Sequence, residues 1–398
     1  MLKNFWYAIE LSTAIGPNPS KVRVLGQDLA LYRARSGRVV ALSNVCIHRG
    51  GSLADGSVDT LAAASPAGSS DDRDCLRCPY HGWAFRPDGS CAEIPASPPD
   101  LPVPKRARVD SYPTVERYGF VWVFLGDLPE NERPPIPALP EFDDSSFRPL
   151  WGEFMWNAHY SRVVENGLDI SHTPFVHQAS FGNREQPQIP EYEVQHGDWS
   201  AAGSVVLTAP RPRGLWGLIQ KKRKNEVRAS VAVYMPHITR LDLQLGNGWR
   251  TIVYDANVPV DDGTTRTLWL QLRNFFRAGW ADGDATRRML QIFEEDAPIV
   301  EAQQPPRLPY ELGAELHVKS DALAVAYRKL RKRAFDAGWG IDTDTIAREC
   351  SGRREVVIPS PSRRARPDLA KAWVFSEVPT LPAREPASAA GDPSRDSD

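Results

Sequence analysis

The chain contains no apolar run long enough to cross a bilayer, which excludes a membrane-spanning helix. Its first residues, MLKNFWYAIELSTAIG, place a glutamate inside the apolar stretch and offer no basic segment followed by a cleavage site, so they do not read as a signal peptide. Cysteine is scarce. Five in 398 residues do not make a disulfide framework, and with two of them in metal-type boxes a reducing cytoplasm is expected. Charge of one sign is also missing: 48 Lys and Arg against 50 Asp and Glu leave a formal net charge of −2, which implies no general attraction to nucleic acid. No G-x-G-x-x-G follows a strand pattern, so no nicotinamide or flavin site is expected within this chain. No internal repeat is present, and the length allows two domains, each with its own core.

Against these absences stand two short boxes. Asn44-Val-Cys46-Ile-His48-Arg-Gly-Gly51 holds a Cys-x-His, and Cys78-Pro-Tyr-His81-Gly-Trp83 holds a Cys-x-x-His. Two thiolates on one iron and two imidazoles on the other make the ligand set of a Rieske [2Fe–2S] centre, a one-electron carrier. Replacing two thiolates by neutral imidazoles removes negative charge and raises the potential above that of an all-cysteine cluster. The glycines beside each pair suit loops that fold closely over a cluster, because glycine permits positive φ. The competing reading is a structural zinc site, in which Cys75-Leu-Arg-Cys78 supplies a Cys-x-x-Cys and Cys46 and His48 complete a tetrahedron. Cys75, Cys91 and Cys350 otherwise read as free thiols. Residues 49–77 separate the boxes, and the stretch Asp59 to Asp74 is rich in Ala, Ser, Asp and Gly, so it is expected to be an inserted surface loop. Its length adds little closure entropy.

A second signal lies in Glu165-Asn-Gly-Leu-Asp169-Ile-Ser-His172-Thr-Pro174-Phe-Val-His177. Asp169 and His172 are three apart, which predicts one face of a helix. His172 and His177 would diverge on an ideal helix, but Pro174 permits a kink that lets both imidazoles converge. Two His and one carboxylate leave positions open on Fe(II), the set that binds and activates O2.

These motifs, in this order over roughly residues 5 to 340, resemble the Rieske non-haem iron oxygenases, large (α) subunit. The resemblance extends to a late acidic helix, Phe293-Glu-Glu-Asp296-Ala-Pro-Ile-Val-Glu-Ala-Gln303, and implies that Asp296 completes the iron site with His172 and His177. Glu294, Glu295 and Glu301 read instead as a solvated helix face. The resemblance further implies that Cys46, His48, Cys78 and His81 hold the cluster, and that Asp169 bridges an iron-ligating His and a cluster His of another subunit. Asn166 matches a position near the iron; a helix-start hydrogen bond is the equal alternative. The chain looks like the α3-type branch, which implies a homotrimer without a β subunit. Electrons would come from NAD(P)H through a separate reductase, with a ferredoxin as carrier.

The resemblance implies oxidation of an aromatic or multi-ring small molecule with O2. The phrases around Glu165–His172, Gln303-Gln-Pro-Pro-Arg-Leu-Pro and Ala322-Leu-Ala-Val-Ala-Tyr-Arg look like the branch of hydroxylases, demethylases and oxidative cyclases of specialised metabolism. The runner-up is a cis-dihydroxylating ring dioxygenase. A Rieske-ferredoxin-type carrier would end near residue 125 and would not need the second motif, and a zinc-stabilised binding protein would have no redox chemistry.

The expected fold class is α+β: a small antiparallel β domain at 1–127, a Pro-rich linker at 128–150, a larger domain with an antiparallel sheet and flanking helices at 151–366, and a tail at 367–398. Strands are expected at 21–35, 39–42, 119–125, 205–208, 228–235, 251–258 and 267–272, and helices at 284–303 and 321–337. From about Pro382 the composition reads as disordered. The run Lys221-Lys-Arg-Lys224 reads as a solvated face rather than a docking patch. His159, His196, His237 and His317 have no metal-type partners at short range and are expected in ordinary surface or core roles.

Overall fold

The Leu-, Val- and aromatic-rich segments of the first third become short strands: β1 (Phe5–Leu11), β2 (Ser20–Val24), β3 (Gln27–Arg33), β4 (Val39–Ser43), β5 (Ser57–Thr60), β6 (Asp74–Arg77), β7 (Ala84–Phe85), β8 (Cys91–Glu93), β9 (Ser111–Tyr112), β10 (Thr114–Arg117) and β11 (Phe120–Leu125). The computed structural model describes residues 1–61, 73–98, 100–178, 182–208, 226–245 and 248–384. The eleven strands form three antiparallel sheets, ordered β1-β11-β10, β2-β3-β4-β9 and β5-β6-β7-β8. All six residues of β11 are buried, so the GFVWVFL run is core. A separate small core of Leu42, Leu53, Leu76, Phe85 and Val109 surrounds Cys46 and Cys78.

The segment between the two boxes differs from the expected loop at its ends. β5 and β6 are arms of one hairpin, with Ser57 opposite Arg77 and Thr60 opposite Asp74. Arg77 ties it down by contacts with Asp59 (2.5 Å) and Glu93 (2.7 Å). Residues 62–72, the body of the expected loop, lie outside the described residues. Residues 128–147 carry 3₁₀ turns and no strand, as a proline-rich stretch that cannot donate to a ladder should.

The large sheet consists of β12 (Arg148–Trp156), β13 (Val194–His196), β14 (Ser200–Thr208), β15 (Glu226–Tyr234), β16 (Ile238–Leu245), β17 (Arg250–Pro259) and β18 (Thr265–Arg273), in the antiparallel order β12-β18-β17-β16-β15-β14-β13. Period-2 alternation gives it two different faces. Ile252, Tyr254, Ala256, Leu268, Leu270 and Leu272 point to one, and share a core with Tyr7 and Trp122 of the N-terminal unit. Each such side chain contributes about 1.5–3 kcal/mol on burial, so this interface holds the two units in fixed register. The other face carries the helices: α1 (Tyr160–Leu168) on β16 and β17, α3 (Asp282–Glu301) on β12 and α4 (Ala322–Asp336) on β14, with the short α2 (Thr173–Val176) following α1.

α1 is amphipathic, burying Tyr160, Val163, Val164 and Leu168 at helical spacing. Its polar side is fixed by a buried ion network. Arg328 of α4 grips Glu165 through Nε (2.6 Å) and Nη2 (2.9 Å), and Arg162 reaches Glu315 at 2.8 Å. The C-terminal segment returns to the first unit, where Ser360 and Arg363 both bind Asp110 at 2.7 Å. No helix among the described residues is long and apolar enough to cross a membrane. The tail from residue 385 and the basic run 221–224 lie outside the described residues.

Candidate metal centres

The two boxes fold into loops of the same build. The Cys46 N–H donates to the Gly51 carbonyl (2.8 Å) and the Gly50 N–H returns to Cys46 (2.9 Å); the Cys78 N–H donates to Trp83 (2.8 Å) and the Gly82 N–H returns to Cys78 (3.0 Å). Gly50 and Gly82 sit at φ of +72° and +73°, the left-handed conformation each turn requires. Asn44 fixes the first loop, accepting from the Ala54 N–H at 2.8 Å and donating to Ser52 at 3.1 Å. The ligand types separate by depth: Cys46 and Cys78 are buried, whereas His81 is exposed. The His48 ring stacks on Trp83 (4.6 Å between centroids) and lies 4.5 Å from the His81 ring.

This arrangement fits a two-iron cluster. The Cys46 thiol is pushed up to about 12, by burial first and by Cys78 beside it; a thiol so placed ionises readily only when a cation supplies the opposing charge. Desolvation, with His81 and Arg49 nearby, lowers the pKa of His48 and favours the neutral imidazole a ligand must be. A tetrahedral zinc would need its four donors to converge on one point. Among the described residues the one group of three or more donors that does so is elsewhere in the chain, and Cys75 lies with Cys91 and Arg86 instead.

That converging group is His172, His177 and Asp296. Nε2 of His172 and Nε2 of His177 are 3.2 Å apart, and Oδ1 of Asp296 is 3.5 and 3.4 Å from them. Donors at these separations could hold one ion at ordinary metal–ligand distances. Asp296 Oδ1 is buried without a hydrogen-bond partner. Burial raises the Asp296 pKa, against the pull of His172, His177 and an Asn166 contact. A divalent cation answers all three observations.

The local structure differs from the expected one at three points. Asp169 and His172 do not share a helix face: α1 ends at Leu168, Asp169 is its extended C-cap, and Asp169 Oδ1 accepts from the Ser171 N–H at 2.7 Å. This Asx turn competes with the helix and carries His172 back so that Nδ1 lies 3.6 Å from Asp169 Oδ2. Pro174 does not kink a helix; it sits in the first turn of α2, where its missing N–H costs nothing. Glu295 is not on a solvated face. Its Oε2 accepts from Nδ1–H of His177 at 2.8 Å, with the side chain 17% exposed. Glu295 behind Nδ1 of His177 thus fixes that tautomer with Nε2 free for a metal, and Asp169 stands near the corresponding Nδ1 of His172. Burial would raise the Asp169 pKa, but contacts with His172 and Ser171 outweigh it and hold the carboxyl below its ordinary value.

Glu301 instead accepts from the Asn157 N–H (2.9 Å), and Glu294 is exposed. Of the other histidines, His159 caps α1, buried His237, pushed down to about 3 by burial, accepts from the Ala8 N–H, His196 is exposed on β13 and His317 is half-buried beside the Leu312 carbonyl.

Glu295→Gln is expected to lower iron affinity by about 10–100-fold, the usual cost of losing an outer carboxylate, while the cluster is retained. Iron titration of the apoprotein checks this, and unchanged affinity would show that Glu295 does not orient His177.

Comparison with known proteins agrees with the geometry. Residues 5–113 match the Rieske [2Fe-2S] domain, and residues 156–337 match the vanillate O-demethylase oxygenase C-terminal domain. The methylxanthine N3-demethylase of Pseudomonas putida is 27% identical over 339 residues, spanning 83% of this chain and 89% of that protein. The phenoxybenzoate dioxygenase α subunit of Ectopseudomonas oleovorans is 32% identical over 278 residues, spanning 64% and 62%. The solved structure of the N3-demethylase superposes with a TM-score of 0.68 at 25% identity, covering 84% of this chain and 91% of the other. Proteins of this kind act on aromatic or heterocyclic compounds with O2, carry a Rieske cluster and a mononuclear iron, and take electrons from a separate reductase. With its cluster loops and its converging His, His and Asp on successive units of one fold, the chain belongs to the Rieske non-haem iron oxygenases, as an α subunit.

Proposed function

We propose that Cys46, His48, Cys78 and His81 hold the [2Fe–2S] cluster, that His172, His177 and Asp296 hold Fe(II), and that the enzyme hydroxylates or demethylates an aromatic or multi-ring substrate. The observation that carries this is the triangle of His172, His177 and Asp296 donors, 3.2–3.5 Å on a side. Iron bound there, fed electrons from the cluster, would supply activated oxygen from O2.

The chain's own residues set the conditions for that chemistry. Glu295 and Asp169 orient the two imidazoles from behind. Asn166 contacts Asp296 and restrains its carboxylate. Asp296 is carried by α3, which is braced on the sheet, and His172 and His177 flank the short α2. The exposed His81 edge offers the cluster to partner proteins. A monooxygenase-type outcome is favoured over cis-dihydroxylation because the similar proteins include two methylxanthine demethylases.

A homotrimer of the α3 type, free of β subunits, fits an oxygenase whose Asp169 carboxylate is still partly exposed on the side away from His172. The cytoplasm is the expected compartment, since all five cysteines are free.

The test is turnover of methylated and unmethylated aromatic heterocycles with reductase, NADH and 18O2, followed by mass spectrometry. Formaldehyde with the demethylated ring, or a product with one labelled atom, is expected. A diol with two labelled atoms would replace the monooxygenase reading with the dioxygenase one, and reduction of the cluster without any substrate-dependent O2 consumption would sink both.

A further inference from the structure

The helix-bearing face of the large sheet contains polar groups that nothing among the described residues satisfies. Antiparallel pairing puts Asp255 opposite Trp269 and Val253 opposite Gln271, so these four share one face. Asp255 Oδ1, Gln271 Oε1 and Trp269 Nε1 are all buried there without a hydrogen-bond partner. Buried polar atoms are normally paired, and these orphans, with Thr251 Oγ1 and Arg273 Nη1 on the next cross-strand pair, mark a surface that expects something else to bind it.

The location is informative. On one side of Asp255, Val253 and Trp269 pack with Met289, Phe293 and Ala297 of α3, the helix that carries Asp296. On the other side is Asn257, which donates to Thr239; Gly167 of α1 lies so close to Thr239 that an added Cβ would sit 3.3 Å from it. Asp255 therefore lies on the floor between the two helices that frame the iron donors. Val253, Asp255 and Gln271 keep part of their surface accessible despite lying on the inner face, as walls of a recess do.

The chemistry of the wall is biased. Both orphan side-chain oxygens, on Asp255 and Gln271, accept hydrogen bonds. The single cation of β17 and β18 on this face, Arg273, is ion-paired to Asp282 through Nη2, while its Nη1 is buried and unpartnered. Burial alone pushes the Asp255 carboxyl up to about 8. A substrate carboxylate brought against Asp255 would meet an acid, with the charge of Arg273 already offset by Asp282, whereas an N–H edge or an ammonium group would find acceptors in place.

We propose that Asp255 is the substrate-anchoring residue of this oxygenase, and that with the Gln271 carbonyl it selects nitrogen-bearing aromatic or heterocyclic substrates, which donate N–H hydrogen bonds, over aromatic acids. The inference rests on the iron assignment above and deepens it to a substrate class.

The test uses the resting oxidised holoenzyme, so no turnover is needed. Binding of benzamide, benzylamine and benzoate is measured by calorimetry on the wild type, Asp255→Asn and Asp255→Leu. Wild type is expected to favour the two nitrogen probes over benzoate by about tenfold or more, the scale of hydrogen bonds to a charged or acidic group. Asp255→Asn should keep benzamide and lose benzylamine, and Asp255→Leu should lose the preference entirely. Both variants should melt no lower than wild type, because the carboxyl has no structural partner to lose. The proposal is overturned if the wild type shows no preference (including no binding of either nitrogen probe), if the preference survives in Asp255→Leu, or if both variants melt lower with binding unchanged. Iron content of a His177→Ala variant reports on the iron assignment separately, so either can fail without the other.

Discussion

Replacing His177 by alanine is expected to abolish turnover and drop the iron content from three per chain to two, with the visible absorption of the cluster unchanged. The arithmetic is one [2Fe–2S] cluster plus one mononuclear iron. His177 is 2% exposed and holds two positions at once, with Nε2 facing His172 and Asp296, and Nδ1 on Glu295. Its removal deletes one of three donors and strands the Glu295 carboxylate beside a new cavity. Loss of an outer partner alone costs about 10–100-fold in metal affinity, so loss of a donor should exceed that range. The cluster should not respond, because the small core around Cys46 and Cys78 contains none of the residues that pack around α3. Iron and labile sulfide analysis beside the visible spectrum decides the matter. Full iron occupancy in His177→Ala would mean the converging donors are not the iron site, and a lost cluster spectrum would mean the two centres are not structurally independent.

How much of this was legible in the sequence follows from the kind of signal each residue carries. The cluster boxes were readable because ligand types and spacing are local, and each box is one turn of chain. Asp296 was readable in principle from α3 itself: Met289, Phe293 and Val300 form its buried stripe, and Asp296 falls on the same stripe. A carboxylate on an apolar stripe demands a partner. Glu295, at the edge of that stripe, carries no such mark, and only the approach of α2 from 118 residues away gives it one. Asp169 and His172 misled because an i, i+3 spacing is met equally by a helix and by an Asx turn followed by a new helix. Pro174 held the deciding clue: its ring would clash with the carbonyl of residue 170 in a continuous helix. β12 went unread because RPLWGEFMW contains Pro149 and Gly152. It is an edge strand, where proline is tolerated, and Gly152 is required because a Cβ there would lie 2.1 Å from the Trp269 ring. Asp255 could not have been read at all, since its meaning depends on having no partner across three strands.

Asp169→Asn is expected to leave both metal centres bound and to slow electron delivery from cluster to iron by about a hundredfold, the upper end of what loss of an orienting carboxylate costs. Within one chain Asp169 contacts His172 and Ser171 and no cluster residue. Its carboxylate is 36% exposed, and on the cluster side His81 is exposed with Tyr80, 65% exposed, tilted over it. Two half-exposed polar edges that do not meet within a chain are what a junction between chains would join. In a head-to-tail ring each cluster faces the next subunit's iron, and this makes a prediction that no single variant can. A Cys78→Ala chain lacks a working cluster and a His177→Ala chain lacks iron, so each alone should be inactive. Assembled together at equal ratio, about a quarter of the junctions in a ring of random order pair an intact cluster with an intact iron, and activity should return to about that fraction of wild type. A mixture as dead as its parents would place the productive pair inside one chain and remove Asp169 from the electron path. Recovery that disappears when the iron-bearing chain also carries Asp169→Asn would locate the junction at that carboxylate, because in such a mixture every active junction must pass through it.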